Sequence, residues 1–177
     1  EYRESLRRYQ PRVFINGSQV DSVVDEPLLA PGIAAVGVTY DYACNLRHAA
    51  LMTATQSTSG KQVNRMLHIN ESANDLLQKL EAVRLVCAES GCAQRYLSQD
   101  GLNALFQSTQ LTDANHGTDY HPRFLDYLHD VQERDLTLGV AMTDAKGDRS
   151  RRPGQQENPD TYVHIVERRV DGIVISG

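Results

Sequence analysis

Residues 122–142 read PRFLDYLHDVQERDLTLGVAM, and the spacing of their apolar side chains changes near Asp135. In the first part, apolar residues recur at intervals of three or four, which is typical of a helix with one buried face. These residues are Phe124, Leu125, Leu128 and Val131. From there to Met142 the apolar run is instead typical of a strand. Because helical patterns precede this change and strand patterns follow it, the sequence predicts an α+β fold with domains 1–135 and 136–177.

Other elements are predicted from periodicity and from short local signals. Ser72 resembles the N-cap of the longest helix, because Asp75 follows it at the position of a capping box. Asn16-Gly17 and Asp171-Gly172 lie between apolar runs, where such pairs predict hairpin turns. The Thr- and Ser-rich segment Thr53–Gly60 predicts a loop. The predicted helices cover residues 32–45, 72 to about 96, 100–108 and 122–134, and the predicted hairpins cover 12–20 and 161–176.

The composition disfavours several classes of protein. Among 177 residues, 23 acidic and 18 basic side chains give a net charge of −5, which disfavours nucleic acid as a partner. No apolar stretch reaches the roughly 18 residues that span a bilayer, so no membrane protein is expected. The odd count of 3 cysteines and the lack of a signal peptide indicate a reducing compartment, with the cytoplasm expected. Since the chain begins in a helical pattern and stops after an apolar strand, we expect a fragment.

Two stretches hold candidate groups for acid–base or ligand chemistry. Arg95 and Tyr96 are predicted to end the longest helix, where they suit either a substrate oxygen or the helix dipole. Residues 115–121 contain two histidines, an Asp and a Tyr, which suit acid–base work. The favoured alternative for these residues is an N-cap turn in which Asp119 or Thr118 caps the next helix.

The remaining candidates are thiols, a turn and a basic cluster. Cys87 and Cys92 lie five positions apart, on different faces of the predicted helix, which favours packing over a metal site. The turn Ala141–Ser150 offers backbone N–H groups and the Thr143 hydroxyl to a flat ligand with polar edges. The basic residues near it suit a phosphorylated cofactor or a solvated loop. They are Lys146, Arg149, Arg151 and Arg152.

Five stretches taken together resemble one family. They are Tyr2–Leu6, Arg12–Gly17, Gly117–His121, Ala141–Arg149 and Ile165–Val174. The chain is similar, in this order and along its whole length, to the 4-hydroxyphenylacetate 3-hydroxylase / 4-hydroxybutyryl-CoA dehydratase family of flavoproteins. This resemblance implies an acyl-CoA dehydrogenase-like fold: an N-terminal helical domain, then a middle β-barrel or sheet domain that starts at residue 136. It also implies a C-terminal helical bundle that drives tetramer formation.

The same resemblance implies a cofactor and the residues that bind it. The cofactor is FAD, and the turn after the first strand is the segment that contacts the flavin in this fold. The implied cofactor-binding residues are Met142, Thr143, Asp144 and Arg149. Arg95 and Tyr96 are implied to act in catalysis by orienting the substrate.

The family has two branches, and this chain departs from both. The dehydratase branch holds a [4Fe–4S] cluster partly through two cysteines four residues apart. At those positions this chain has Cys92 and Tyr96, so no metal is expected. The hydroxylase branch carries an Arg, which Arg95 matches across a short gap, and a His at the position of Val140.

Three functions follow from the resemblance. The first is a two-component FAD-dependent monooxygenase, in which a flavin reductase supplies reduced flavin and O₂ hydroxylates a small aromatic acid such as 4-hydroxyphenylacetate. The second is an enzyme of the 4-hydroxybutyryl-CoA dehydratase / vinylacetyl-CoA isomerase type, which acts on an acyl-CoA substrate. The third is an inactive N-terminal fragment with a role in assembly only. The first is the expected function, since its route needs no iron, and a homotetramer is the expected assembly.

Overall fold

The computed structural model describes residues 1–92 and 95–177, which form two compact units, Glu1–Leu138 and Gly139–Gly177. The helices of the first unit are α1 (Tyr2–Leu6), α2 (Ala30–Cys44), α3 (Ala49–Met52), α4 (Ala73–Ser90), α5 (Tyr96–His116) and α6 (Tyr120–Glu133). Its strands are β1 (Phe14–Ile15), β2 (Ser18–Gln19), β3 (Thr53–Thr55) and β4 (Gln62–Asn64). None of the helices in the described ranges is long and apolar enough to cross a membrane. The domain boundary at residue 135 stays a prediction.

Two antiparallel hairpins belong to the first unit. The predicted turn at Asn16-Gly17 is confirmed, because both residues have positive φ (50° and 83°) between β1 and β2, as a type I′ turn requires. The predicted loop Thr53–Gly60 is wrong in its first part, which forms β3 and pairs with β4. Each of these strands has three residues, so their period is too short to be recognised from sequence.

Helix α4 begins as predicted and ends earlier. The Ser72 hydroxyl oxygen accepts from the backbone N–H of Asp75 at 3.1 Å, which confirms the N-cap. The helix stops at Ser90 because Gly91 takes the left-handed conformation, with φ 75°, instead of running on to about Tyr96. The predicted end was therefore wrong, and Tyr96 begins α5.

The cap of α6 comes from the preceding helix and differs from the prediction. Neither Asp119 nor Thr118 accepts a capping hydrogen bond. The Asp113 carboxylate, near the end of α5, accepts from the backbone N–H groups of Tyr120 at 2.9 Å and His121 at 2.7 Å. It also accepts from the Thr118 hydroxyl at 2.6 Å. The polar residues of this segment thus join two helices.

A short segment, Arg65–Ile69, runs through the centre of the first unit, and its first three residues form a 3₁₀ helix, Arg65–Leu67. Its residues are buried, and Met66 and Leu67 belong to two separate apolar clusters. The first cluster contains Leu67, Ile69, Leu102, Phe124, Leu128 and Val131, and the second contains Met52, Met66, Ala82 and Val86. Gln132 Nε2 donates to the Leu67 carbonyl at 2.9 Å, and Gln56 Oε1 accepts from the Ile69 N–H at 3.0 Å. Amide side chains therefore supply the partners that a helix or sheet would otherwise provide.

The buried His68 in this segment makes the stability of the protein depend on pH. Burial lowers the pKa of His68 against the opposing effect of Asp75 and Glu71, and Arg65 lowers it further. As the pH falls below about 6.5, the unfolded state binds a proton that the folded state excludes. We therefore expect the free energy of unfolding to decrease with acidification through that range, as measured by urea unfolding.

His68→Gln is the test of this assignment, because it removes the titrating group. We expect its free energy of unfolding to change less with pH than that of the wild type, whatever its absolute stability. His116→Gln, at an exposed position on α5, is the control and is expected to keep the wild-type slope. An unchanged slope in His68→Gln contradicts the assignment.

The chain from Leu136 to Met142 was predicted as a strand, and this prediction is wrong for the described structure. Within residues 1–92 and 95–177, no strand pairs with this segment. The carbonyl oxygens that a neighbouring strand would use are occupied by side chains. Leu136 O accepts from Arg95 Nη2 at 2.9 Å, and Leu138 O accepts from the Ser98 hydroxyl at 2.8 Å.

The second unit consists of a structured loop and one hairpin. Strands β5 (His164–Arg169) and β6 (Gly172–Ser176) pair antiparallel, which confirms the hairpin predicted near the C-terminal end. Arg169 pairs with Gly172, so the turn residues are Val170 and Asp171, one position before the predicted Asp171-Gly172 pair. Both faces of the hairpin expose apolar side chains, as a two-stranded ribbon must.

Candidate functional site

Arg95, one of the two predicted catalytic residues, is buried in the first unit and bonded there. It precedes α5, and its Nη2 donates to Asp135 Oδ1 at 2.7 Å and to the Leu136 carbonyl at 2.9 Å. Its Nη1 donates to Thr39 Oγ1 at 3.2 Å. The guanidinium carbon lies 4.5 Å from the centroid of the Tyr40 ring, which is a cation–π contact. The guanidinium is thus bound from several sides.

Asp135 is the second centre of this group, which we call the Arg95 cluster (Arg95, Thr39, Tyr40, Asn64 and Asp135). Asp135 has φ 45°, a left-handed conformation that is costly for a residue other than glycine. The Tyr40 hydroxyl donates to its carbonyl at 2.8 Å, and Asn64 Nδ2 donates to its Oδ2 at 3.2 Å. Burial raises the pKa of Tyr40, so the phenol keeps its proton at neutral pH. The cluster therefore holds the chain in place where it leaves α6.

The two predicted catalytic residues lie in different environments although they are neighbours in sequence. The Arg95 side chain is fully buried, whereas Tyr96, the first residue of α5, is partly exposed. Of the two residues, only Tyr96 retains exposed surface. Direct contact of Arg95 with a substrate stays a prediction. Sequence analysis missed Asp135 and Tyr40 as its partners, since no local pattern links residues so far apart.

The predicted flavin-binding residues all lie on the surface of the second unit. Met142 exposes 74% of its surface, and Thr143, Asp144 and Arg149 are exposed as well. Within the described ranges, the backbone N–H groups of residues 141–146 donate to no protein acceptor. Unused N–H groups, a hydroxyl and a guanidinium form a donor set that suits the polar edge and the phosphates of FAD. The residues fit the cofactor chemically, and their contact with it stays a prediction.

Gln156 orders the loop that carries Arg149. Its Oε1 accepts from the Asp148 N–H at 2.9 Å, and its Nε2 donates to the Asp148 carbonyl at 2.9 Å and to the Arg151 carbonyl at 3.2 Å. A Cβ atom at Gly147 would meet the side chains of Gln156 and Thr161, so a larger residue there would displace the Gln156 amide from its contacts with the loop. Sequence analysis missed the role of Gln156. The pair Gly147-Asp148, whose backbone Gln156 contacts, is the local signal for an ordered turn.

The residues of this chain do not fit a [4Fe–4S] cluster. The prediction that Cys87 and Cys92 pack in the protein assumed that both lie on one helix. In the structure α4 ends at Ser90, so Cys92 lies outside it. The resemblance implies that Tyr96 stands at the second cluster position, and a phenol is a poor substitute for a thiolate. Among the described residues, no three side chains of His, Cys, Asp or Glu come together as metal ligands.

The chain is similar to two groups of enzymes. It is 40% identical over its whole length to 4-hydroxybutyryl-CoA dehydratase/vinylacetyl-CoA-Δ-isomerase of Clostridium aminobutyricum. It is 25% identical, again over its whole length, to the oxygenase component of 4-hydroxyphenylacetate 3-monooxygenase of Geobacillus sp. strain PA-9. In both cases the chain covers 36% of the relative, so it spans about a third of the length of these curated relatives.

Solved structures give the same two groups. An oxygen-tolerant archaeal 4-hydroxybutyryl-CoA dehydratase from N. maritimus matches 99% of the chain with a TM-score of 0.92 and 44% identity, over 35% of its own length. The oxygenase component of 4-hydroxyphenylacetate 3-monooxygenase, solved with FAD and 4-hydroxyphenylacetate, matches 98% with a TM-score of 0.78 and 22% identity, over 36% of its length. The second match shows the fold alone.

These findings confirm the fold class and the family predicted from the sequence. The family described as 4-hydroxyphenylacetate 3-hydroxylase N terminal matches all residues from 1 to 177. The chain belongs to this family.

Proposed function

We propose that this chain is the N-terminal part of an FAD-dependent enzyme that acts on a CoA thioester. The observation that carries the proposal is the difference in identity between the two groups of relatives. The chain is 40% identical to the Clostridium dehydratase/isomerase and 25% identical to the Geobacillus monooxygenase component. This order differs from the expectation from sequence, which placed the monooxygenase first.

The chain contributes a cofactor-binding loop and a reachable phenol to this proposed enzyme. FAD, when bound, supplies the redox-active ring system. The N–H groups of residues 141–146 and the Thr143 hydroxyl hold the polar edge of the flavin, and Arg149 pairs with a phosphate. Tyr96 offers its phenol hydroxyl to the substrate. Arg95 acts as a positioning residue, because it fixes the start of α5, from which Tyr96 projects.

Thr143→Ala is expected to weaken FAD binding about tenfold, because it removes one hydrogen bond worth about 1–1.5 kcal/mol. The dissociation constant is measured by quenching of flavin fluorescence. Thr55→Ala, at an exposed position on β3, is the control and is expected to bind FAD like the wild type. Equal affinity in both variants contradicts the role of Thr143.

A second candidate function is the FAD-dependent monooxygenase with a flavin reductase as partner and a small aromatic acid as substrate. It is favoured by Tyr96, which stands where the resemblance implies a cysteine ligand of an iron–sulfur cluster. The hydroxylation route needs no such cluster. This candidate predicts the absorbance of a flavin hydroperoxide when the protein with reduced flavin is mixed with O₂. A homotetramer stays a prediction for either candidate.

One comparison of the intact enzyme that contains this chain separates the candidates. The protein is loaded with FAD and assayed under anaerobic conditions with vinylacetyl-CoA, and in air with reduced FAD and 4-hydroxyphenylacetate. The proposal predicts conversion of the thioester and no hydroxylation. Hydroxylation alone supports the second candidate, and a protein that binds no flavin contradicts both.

A further inference from the structure

We infer that Ser98 is a positioning residue for FAD binding, because its hydroxyl anchors the chain immediately before the turn that is predicted to contact the flavin. The inference rests on the proposed function, since it takes residues 141–146 as the segment that holds the polar edge of the cofactor. Ser98 itself touches neither the cofactor nor the substrate in this proposal.

Ser98 lies in the first turn of α5 and makes a contact that is unlike those of other hydroxyl side chains on this helix. It is buried, and its hydroxyl donates to the Leu138 carbonyl at 2.8 Å, 40 positions further along the chain. The hydroxyls of Thr109 and Thr112 donate instead to carbonyls of α5 itself, which is the usual bond of such a side chain within a helix. Ser98 therefore joins the start of α5 to a separate segment.

The bond from Ser98 is the last of a series that holds Asp135–Leu138 residue by residue. Arg95 Nη2 donates to the carboxylate of the first residue at 2.7 Å and to the carbonyl of the second at 2.9 Å. Thr137 Oγ1 lies 2.8 Å from the Tyr40 hydroxyl, and Ser98 binds the carbonyl of the fourth residue. The side chains of the second and fourth residues also pack against the first apolar cluster. Four consecutive residues are thus fixed within the first unit.

The chain that follows Leu138 is exposed from residue 139 to residue 146. Within residues 1–92 and 95–177, the next hydrogen bond along the chain is the one from the Asp148 N–H to Gln156. Thr143 is the fifth residue after Leu138, and five residues span at most about 18 Å when fully extended. The bond from Ser98 is therefore the anchor that lies nearest to the predicted flavin-binding turn.

An anchor next to a binding segment affects the affinity for a ligand without contacting it. A ligand that needs one arrangement of a segment binds more weakly when the segment spends less time in that arrangement. Without the Ser98 hydroxyl, the chain at Leu138 is free to adopt further arrangements. Since one ordinary hydrogen bond corresponds to roughly a fivefold change in an equilibrium constant, we expect an effect of about that size.

The first measurement is the dissociation constant of FAD for the intact enzyme, at a temperature at which every variant is folded. Ser98→Ala is expected to bind FAD about fivefold more weakly than the wild type. Ser98→Thr keeps the hydroxyl donor and is expected to restore most of the affinity. Ser108→Ala removes an exposed hydroxyl from the same helix and is the control, with wild-type affinity expected.

The second measurement needs no flavin and tests the anchor directly. The flavin-free enzyme is digested briefly with chymotrypsin, and the fragment that ends at Leu138 is quantified by mass spectrometry. A protease cleaves a segment faster when the segment leaves its folded position more often. We expect faster cleavage after Leu138 in Ser98→Ala, and the wild-type rate in Ser98→Thr and Ser108→Ala.

The two measurements together decide the inference. Weaker FAD binding and faster cleavage in Ser98→Ala alone support it. Wild-type FAD affinity in Ser98→Ala overturns it, whatever the cleavage rate, and leaves the proposed function standing. Weaker binding with unchanged cleavage overturns it as well, because the effect then does not pass through the anchor. It is also overturned if Ser98→Thr or Ser108→Ala binds as weakly as Ser98→Ala. A wild-type enzyme that binds no FAD contradicts both the inference and the proposed function.

Discussion

Arg95→Ala is expected to lower the free energy of unfolding by about 3 kcal/mol, since it breaks a buried ion pair and leaves its partner groups without a donor. The lost contacts are those of Nη2 with Asp135 Oδ1 and with the Leu136 carbonyl. The estimate lies at the low end for buried pairs because the Asp135 side chain is 36% exposed and gains water when Arg95 is removed. Urea unfolding followed by circular dichroism measures the effect.

Two further variants make this expectation specific. Arg84→Ala breaks an exposed ion pair with Glu81 on α4 and is expected to change stability by no more than about 0.5 kcal/mol. Arg95→Lys keeps the charge but loses the planar fork of the guanidinium, so an intermediate loss is expected. If Arg95→Ala is as stable as Arg84→Ala, the Arg95 cluster does not hold the chain as we describe.

Tyr96→Phe is expected to lower kcat for the conversion of the CoA thioester about a hundredfold, because it removes a hydroxyl group that acts as an acid or base toward the substrate. FAD affinity is expected to stay unchanged, since no predicted flavin contact is altered. The measurement is the rate of conversion of vinylacetyl-CoA by the FAD-loaded enzyme across a range of pH. The thermal stability of the variant is expected to stay at the wild-type value, which a purely structural role of Tyr96 would not allow.

Tyr127→Phe on α6 is the matched control, because it removes a phenol hydroxyl at another exposed position. It is expected to keep the wild-type kcat. A Tyr96→Phe enzyme with the wild-type rate and pH profile contradicts the proposed role of Tyr96. A fall in kcat that is matched by a fall in thermal stability contradicts it as well.

The sequence was sufficient where a signal is contained in a few neighbouring residues. Asn16-Gly17 forms its turn because both residues tolerate positive φ. Ser72 caps α4 because its hydroxyl reaches a backbone N–H three positions on. The end of α4 was predicted too late. Gly91 is the local signal for that end, but apolar residues continue past the glycine and favoured a longer helix.

The sequence was insufficient where a partner is distant. Thr53–Thr55 is a strand only because Gln62–Asn64 pairs with it. The apolar residues after Asp135 were expected to join a sheet, but their carbonyls accept from side chains at the start of α5. The cap of α6 was assigned to its own N-terminal residues, whereas Asp113 reaches it from the end of the previous helix.

The amino-acid order by itself determined the approximate course of the longer helices, the turn at Asn16-Gly17 and the family, because periodicity, turn chemistry and ordered motifs are all local or linear properties of a chain. The tertiary structure alone decided that Arg95 is buried and Tyr96 accessible. The partners of Arg95 lie 40 positions away at Asp135 and 56 away at Thr39, and only packing brings such residues together. Arg95, a candidate catalytic residue in the sequence, is paired in the structure because burial of a charge requires a partner.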